Sequence, residues 1–106
     1  MIDDYAVKLA TEYLDHFLGK EKPATLVDML GYVDAHDKVV LTVEEVNAAL
    51  KQRPSTHLKR VDGRIIFTQS SGDREITEDD LKQNVQMYEE AFWALYRQLQ
   101  DRKDSK

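Results

Sequence analysis

The chain has 106 residues, 42% of them hydrophobic and 33% charged, with 15 Lys/Arg against 20 Asp/Glu for a formal net charge of −5, and no cysteine. That length suits one domain burying about two-thirds of its unfolded surface in a single core, and the missing cysteines exclude disulfides and thiolate metal sites and suit a reducing cytoplasm. The opening MIDDYAVKLA lacks a basic n-region ahead of an apolar run, and no apolar stretch approaches the ~20 residues of a membrane span, so neither a signal peptide nor a membrane protein is expected.

Residues 2–18 place Ile2, Tyr5, Ala6, Leu9, Ala10, Tyr13, Leu14, Phe17 and Leu18 at i, i+3, i+4 spacing. This predicts an amphipathic helix with Gly19 as its C-terminal stop. After the linker KEKP, Thr25 with Asp28 caps a helix carrying Leu26, Met29, Leu30 and Val33. Gly31 within it costs about 1 kcal/mol relative to alanine and points to close approach of another helix. Val39-Val40-Leu41 predicts a minimal strand. Thr42 with Glu45 is a capping box opening a helix with Val43, Val46, Ala49 and Leu50, which Pro54 ends near residue 52.

The segment 55–69 supports two readings. In one, Ser55 caps a short helix THLKRV, Gly63 ends it, and RIIFTQ is a strand. In the other, HLKRV and RIIFT are two strands joined by Asp62-Gly63, a strong type I′ signal. The turn-rich SSGD followed by REIT offers a further hairpin over 64–76. Thr77 with Asp80 caps the last and longest helix, expected to reach about Asp101, with the tail DRKDSK frayed. Leu81, Val85, Tyr88, Phe92, Leu95 and Leu99 form a heptad-like seam along it, widened by Met87, Ala91, Trp93 and Tyr96. A helix apolar nearly all round must be buried nearly all round. The sequence therefore predicts a homodimer interface at Leu81, Val85, Tyr88, Phe92, Trp93, Leu95, Tyr96 and Leu99.

Charge is unevenly spread. Residues 1–50 carry −6, residues 51–74 carry +4 and residues 75–106 carry −3. A cationic segment inside an acidic chain suggests one face that meets an anion, with Lys51, Arg53, His57, Lys59, Arg60 and Arg64 crowded into 14 residues. Six such groups on duplex phosphates give a log K against log salt slope near −5.

Under the first reading of residues 55–69, the order helix, short strand, helix, short helix, strand, turn, strand from residue 24 resembles a winged helix-turn-helix domain over about 24–77. VVLTVEEVNAAL, PSTHLKRVDGRIIFT and the wing SSGDREIT carry the resemblance. Helices 2–18 and 77–101 resemble the flanking dimerisation helices of PadR-type bacterial regulators. The implied fold is mainly α with a small antiparallel β-hairpin or wing. The implied function is transcriptional regulation by a dimer on double-stranded DNA. By the resemblance, Ser55, Thr56, His57, Lys59 and Arg60 lie on the recognition surface, and Arg64, Ser70, Ser71 and Arg74 near phosphates. Lys51 and Arg53 complete the nucleic-acid-binding set. The alternative is a protein-interaction or structural module of the same fold without DNA affinity.

Other chemistry is poorly represented. Asp34, His36 and Asp37 sit at i, i+2 and i+3, which do not converge on a metal, and a solvated helix end is the simpler account. Neither PST nor SSGD is a nucleophile elbow, and Gly63 and Gly72 are too isolated to cradle phosphate. No cofactor, metal site or enzymatic activity is expected.

Overall fold

The computed structural model describes residues 2–104. In chain order it has α1 (Asp4–Phe17), β1 (Ala24–Thr25), α2 (Leu26–Asp37), α3 (Val43–Gln52), β2 (His57–Val61), β3 (Arg64–Thr68) and α4 (Glu78–Asp104). The architecture is mainly α, with one small antiparallel sheet of order β1-β3-β2 and a long C-terminal helix.

Local chemistry sets most helix ends. Asp3 caps α1 by accepting from the Tyr5 and Ala6 amides, and Gly19 follows it at φ +80°. Thr25 Oγ1 accepts the Asp28 amide at 3.1 Å, but the Thr25 amide turns to the Tyr13 hydroxyl instead of to Asp28. The boxes at Thr42/Glu45 and Thr77/Asp80 are both reciprocal. Glu45, though buried, spends its second carboxylate oxygen on the Asp3 amide at 2.8 Å, tying the start of α3 to the start of α1. The last helix continues to Asp104; residues 105–106 of the predicted frayed tail lie outside the described residues.

The apolar face of α1 (Ala6, Val7, Leu9, Ala10, Tyr13, Leu14) packs on α2 and α3 of its own chain and joins the same core as Leu26, Met29, Val46 and Leu50. It is therefore spent within the molecule. The first half of α4 crosses α2, where the Tyr88 ring lies 3.2 Å from the position a Cβ on Gly31 would take. This is the close helix approach that glycine implied.

Two sequence expectations are corrected, and the two readings of residues 55–69 are resolved. Val39-Val40-Leu41 forms no strand. Lys38 ends α2 in the left-handed region and Thr42 already caps α3, so the residues between serve as a connector that anchors Leu41 in the core. The strand that enters the sheet is Ala24–Thr25, paired Ala24↔Phe67 and Thr25↔Ile66. Residues 57–61 are a strand, not a helix. Asp62 (φ +52°) and Gly63 (φ +81°) make the turn, and His57↔Thr68 through Val61↔Arg64 set the register. The second hairpin over 64–76 does not form either. β3 is central, with β1 on one edge and β2 on the other, so returning chain has no edge of β3 to join; it meets the far side of β2 in a single Leu58↔Asp73 bridge.

Candidate functional site

Sheet register sorts the basic segment onto two sides. Leu58 and Phe67 point into the core, as does Ile65, while Lys59, Val61, Arg64 and Ile66 share the outer face. Lys59 and Arg64 are exposed there, and Lys51 is exposed on the last turn of α3. Among the described residues, none of these three pairs with a carboxylate.

The other cations are engaged inside the molecule. Arg53 forms a two-pronged pair with Asp15, Nε to Oδ1 and Nη2 to Oδ2 at 2.7 Å each, and this holds the Asp15 carboxyl below its usual value. Arg60 leaves the inner side of β2 for the start of α4. It donates to both oxygens of Asp80 at 3.0 and 2.8 Å, to Asp73, and to the Glu75 carbonyl. The hydrogen bonds to Asp80 and Asp73 push the guanidinium pKa upward, and the bond from Arg60 pushes that of Asp80 down. Arg74 reaches across to the C-terminal end of α3, donating to the carbonyls of Leu50 (3.0 Å), Arg53 (3.1 Å), Pro54 (2.9 Å) and Thr56. It thereby ties together the carbonyls of the turn that follows α3, two of which, those of Leu50 and Arg53, also accept the Arg53 and Thr56 amides.

Thr56 is buried and Ser55 is exposed in the turn before β2. His57 is half-buried, its Nδ1 3.2 Å from the Ser55 carbonyl. Ser70 is 2.8 Å from the Thr68 hydroxyl, and Ser71 is exposed in the crossing chain. The fold thus brings Lys59 and Arg64 together on one face, sets Lys51 on α3, and withdraws Arg53, Arg60 and Arg74.

The apolar residues of α4 divide likewise. Leu81 is buried, and Val85 and Tyr88 are half-buried against their own chain, Tyr88 donating from its hydroxyl to Asp34 at 2.8 Å. Beyond them, Phe92, Trp93, Leu95, Tyr96 and Leu99 are each 46–57% exposed.

Sequence reasoning passed over Asn84, which has no exposed surface. Its Oδ1 accepts the Ile65 amide at 3.1 Å, and its Nδ2 donates to the carbonyls of Gly63 (3.0 Å) and Asp80 (2.7 Å). This one side chain fixes the hairpin turn onto α4. Asn47 plays a similar part, exchanging two hydrogen bonds with the Ile76 backbone. A polar residue at a position facing the core was the available signal in both cases.

Among the described residues no three His, Cys, Asp or Glu side chains gather as a metal site, and no helix is long and apolar enough to cross a membrane. Comparison with protein-family models, curated proteins and solved structures finds no match.

Proposed function

We propose that this protein is a non-enzymatic binding module of winged-helix type that works as a homodimer joined through the C-terminal half of α4. The observation that carries the proposal is the run of five half-exposed large apolar side chains from Phe92 to Leu99. The three aromatics alone, at about half of the ~200 Å² such rings bury, offer roughly 300 Å² per copy. With Leu95 and Leu99 added, the patch reaches the upper range of what monomers expose, where binding surfaces are found. At ~25 cal/mol/Å², the aromatic area of two copies gives about 15 kcal/mol gross, enough to offset an association cost of 4–15 kcal/mol. Light scattering tests this directly. The wild type runs as a dimer at micromolar concentration, and Trp93→Glu/Leu95→Glu runs as a folded monomer. A wild type that stays monomeric refutes the proposal.

A second reading, that the dimer contacts double-stranded DNA as a cytoplasmic regulator, is favoured by element order. The series α1, β1, α2, α3, β2, β3 resembles the winged-helix order, displaced one helix toward the N-terminus from the sequence-based alignment. α2 and α3 become the turn pair, α3 the recognition helix, and β2–β3 the wing. Against this reading, the first turn of α3 carries Glu44 and Glu45, and three of the six Lys/Arg side chains of residues 51–74 (Arg53, Arg60 and Arg74) are already engaged. Lys51, Lys59 and Arg64 remain. Three phosphate contacts per copy give a salt slope near −2.7, or near −5.4 if both copies bind. A mobility shift that falls with salt at such a slope and is lost in Lys59→Glu/Arg64→Glu supports DNA binding; no shift at low salt removes it.

A further inference from the structure

We propose that the two α4 helices pair antiparallel, and that the tip of each seats Leu99 in an apolar cleft at the root of the partner's α4. The inference rests on the homodimer reading and adds a site to it. The cleft is lined by Leu30, Asp34, Val39, Val40, Val85 and Tyr88 among others, and encloses about 70 Å³. That is roughly twice the liquid volume share of one water, room for the branched end of an aliphatic side chain. Val40 on its rim is 67% exposed, the highest value among the large exposed hydrophobic side chains. The connector that carries Val40 pairs with no strand, so nothing in its own chain accounts for its apolar character.

Two observations favour a second copy as the occupant. At 100° per residue, Phe92, Trp93, Leu95, Tyr96 and Leu99 span about 160° of the helix surface. A two-helix seam covers a narrower arc, so each tip needs a second apolar wall. Val85 and Tyr88, on the cleft's α4 side, lie on the same stripe as Phe92 and Leu99, so a helix laid along the exposed stripe runs directly into the cleft.

Register then fixes the fit. A twofold axis midway between residues 93 and 94 sets Phe92 against Leu95 and Tyr88 against Leu99, giving self-complementary layers. In this register Leu99 arrives beside Tyr88, with Val39 and Val40 as the second wall.

The absence of cysteine makes the test clean. Val40→Cys/Leu99→Cys is oxidised and run on a non-reducing gel beside each single variant and beside wild-type light scattering. The expected result is a covalent dimer from the double variant alone. Leu99 and its symmetry mate lie about 16 Å apart along the axis, 11 residues at 1.5 Å, too far for a disulfide. A covalent dimer from Leu99→Cys alone shows parallel pairing and overturns the inference while leaving the homodimer intact. A dimeric double variant that does not cross-link overturns it equally, and a monomeric wild type overturns both. If Leu99→Cys itself weakens the dimer, Val40→Asp decides: a rise of fivefold or more in the dimer dissociation constant supports the cleft, and a smaller change overturns it.

Discussion

Asn84→Ala probes the join between hairpin and long helix. The substitution removes three hydrogen bonds from a side chain with no exposed surface. Each bond is worth about 0.5–1.5 kcal/mol net, and an orphaned interior amide, here that of Ile65, costs about 1–3 kcal/mol. Because these overlap, the expected loss is about 3 kcal/mol. At ~2.1 cal/mol/K per residue, 106 residues unfold with an entropy near 0.22 kcal/mol/K, so Tm falls by about 14 °C. Urea denaturation followed by circular dichroism measures the change, with Gln86→Ala on the exposed side of the same helix as a control expected within about 0.5 kcal/mol. Amide exchange should quicken first at Ile65 and the hairpin. A loss below about 1 kcal/mol would show that water replaces the side chain at little cost, and the assignment of Asn84 as the fixing residue would fail.

Arg60→Met leaves Asp80, only 12% exposed at its side chain, without its guanidinium. Breaking a buried pair costs about 3–5 kcal/mol, and the partial exposure of Arg60 lowers the expectation to about 1.5–3 kcal/mol by urea denaturation. Because that bond depresses the folded-state pKa of Asp80, its stabilisation is present above the unfolded value near 3.9 and is lost as pH falls through the folded value. The wild type should therefore lose stability below about pH 4 more steeply than Arg60→Met, and parallel acid-unfolding curves would contradict this. Gly63→Ala forces a side chain to φ +81° in the hairpin turn and should cost about 1 kcal/mol or more; an unchanged melting temperature would argue against the turn. Arg74→Ala uncaps α3 and should raise amide exchange in its last turn, with a loss of about 1–2 kcal/mol; unchanged exchange there would refute the cap.

Much of the helical framework was legible because its signals are local. The boxes Thr42/Glu45 and Thr77/Asp80 act through neighbours three residues away, and the stops at Gly19 and Pro54 through the residues next to them. Asp62-Gly63 was legible as one of two options, since the pair favours a type I′ turn, while five-residue flanks carry too little periodicity to exclude a helix. The strand at 24–25 was not legible: two residues leave no period, and they are a strand only because Phe67 and Ile66 lie alongside. Val39-Val40-Leu41 misled for the converse reason, being β-branched with no edge to join.

The candidate site divides along the same line. The amino-acid sequence by itself determined where helices begin and end, that one segment concentrates positive charge, and that the last helix is more apolar than one flank of a small body can cover. The tertiary structure alone decided which positive charges remain available. Asp15 is 38 residues from Arg53, Asp80 is 20 from Arg60, and the carbonyls capped by Arg74 lie 18–24 residues away. Ion pairing depends on separation in space, and only the folded chain sets that separation.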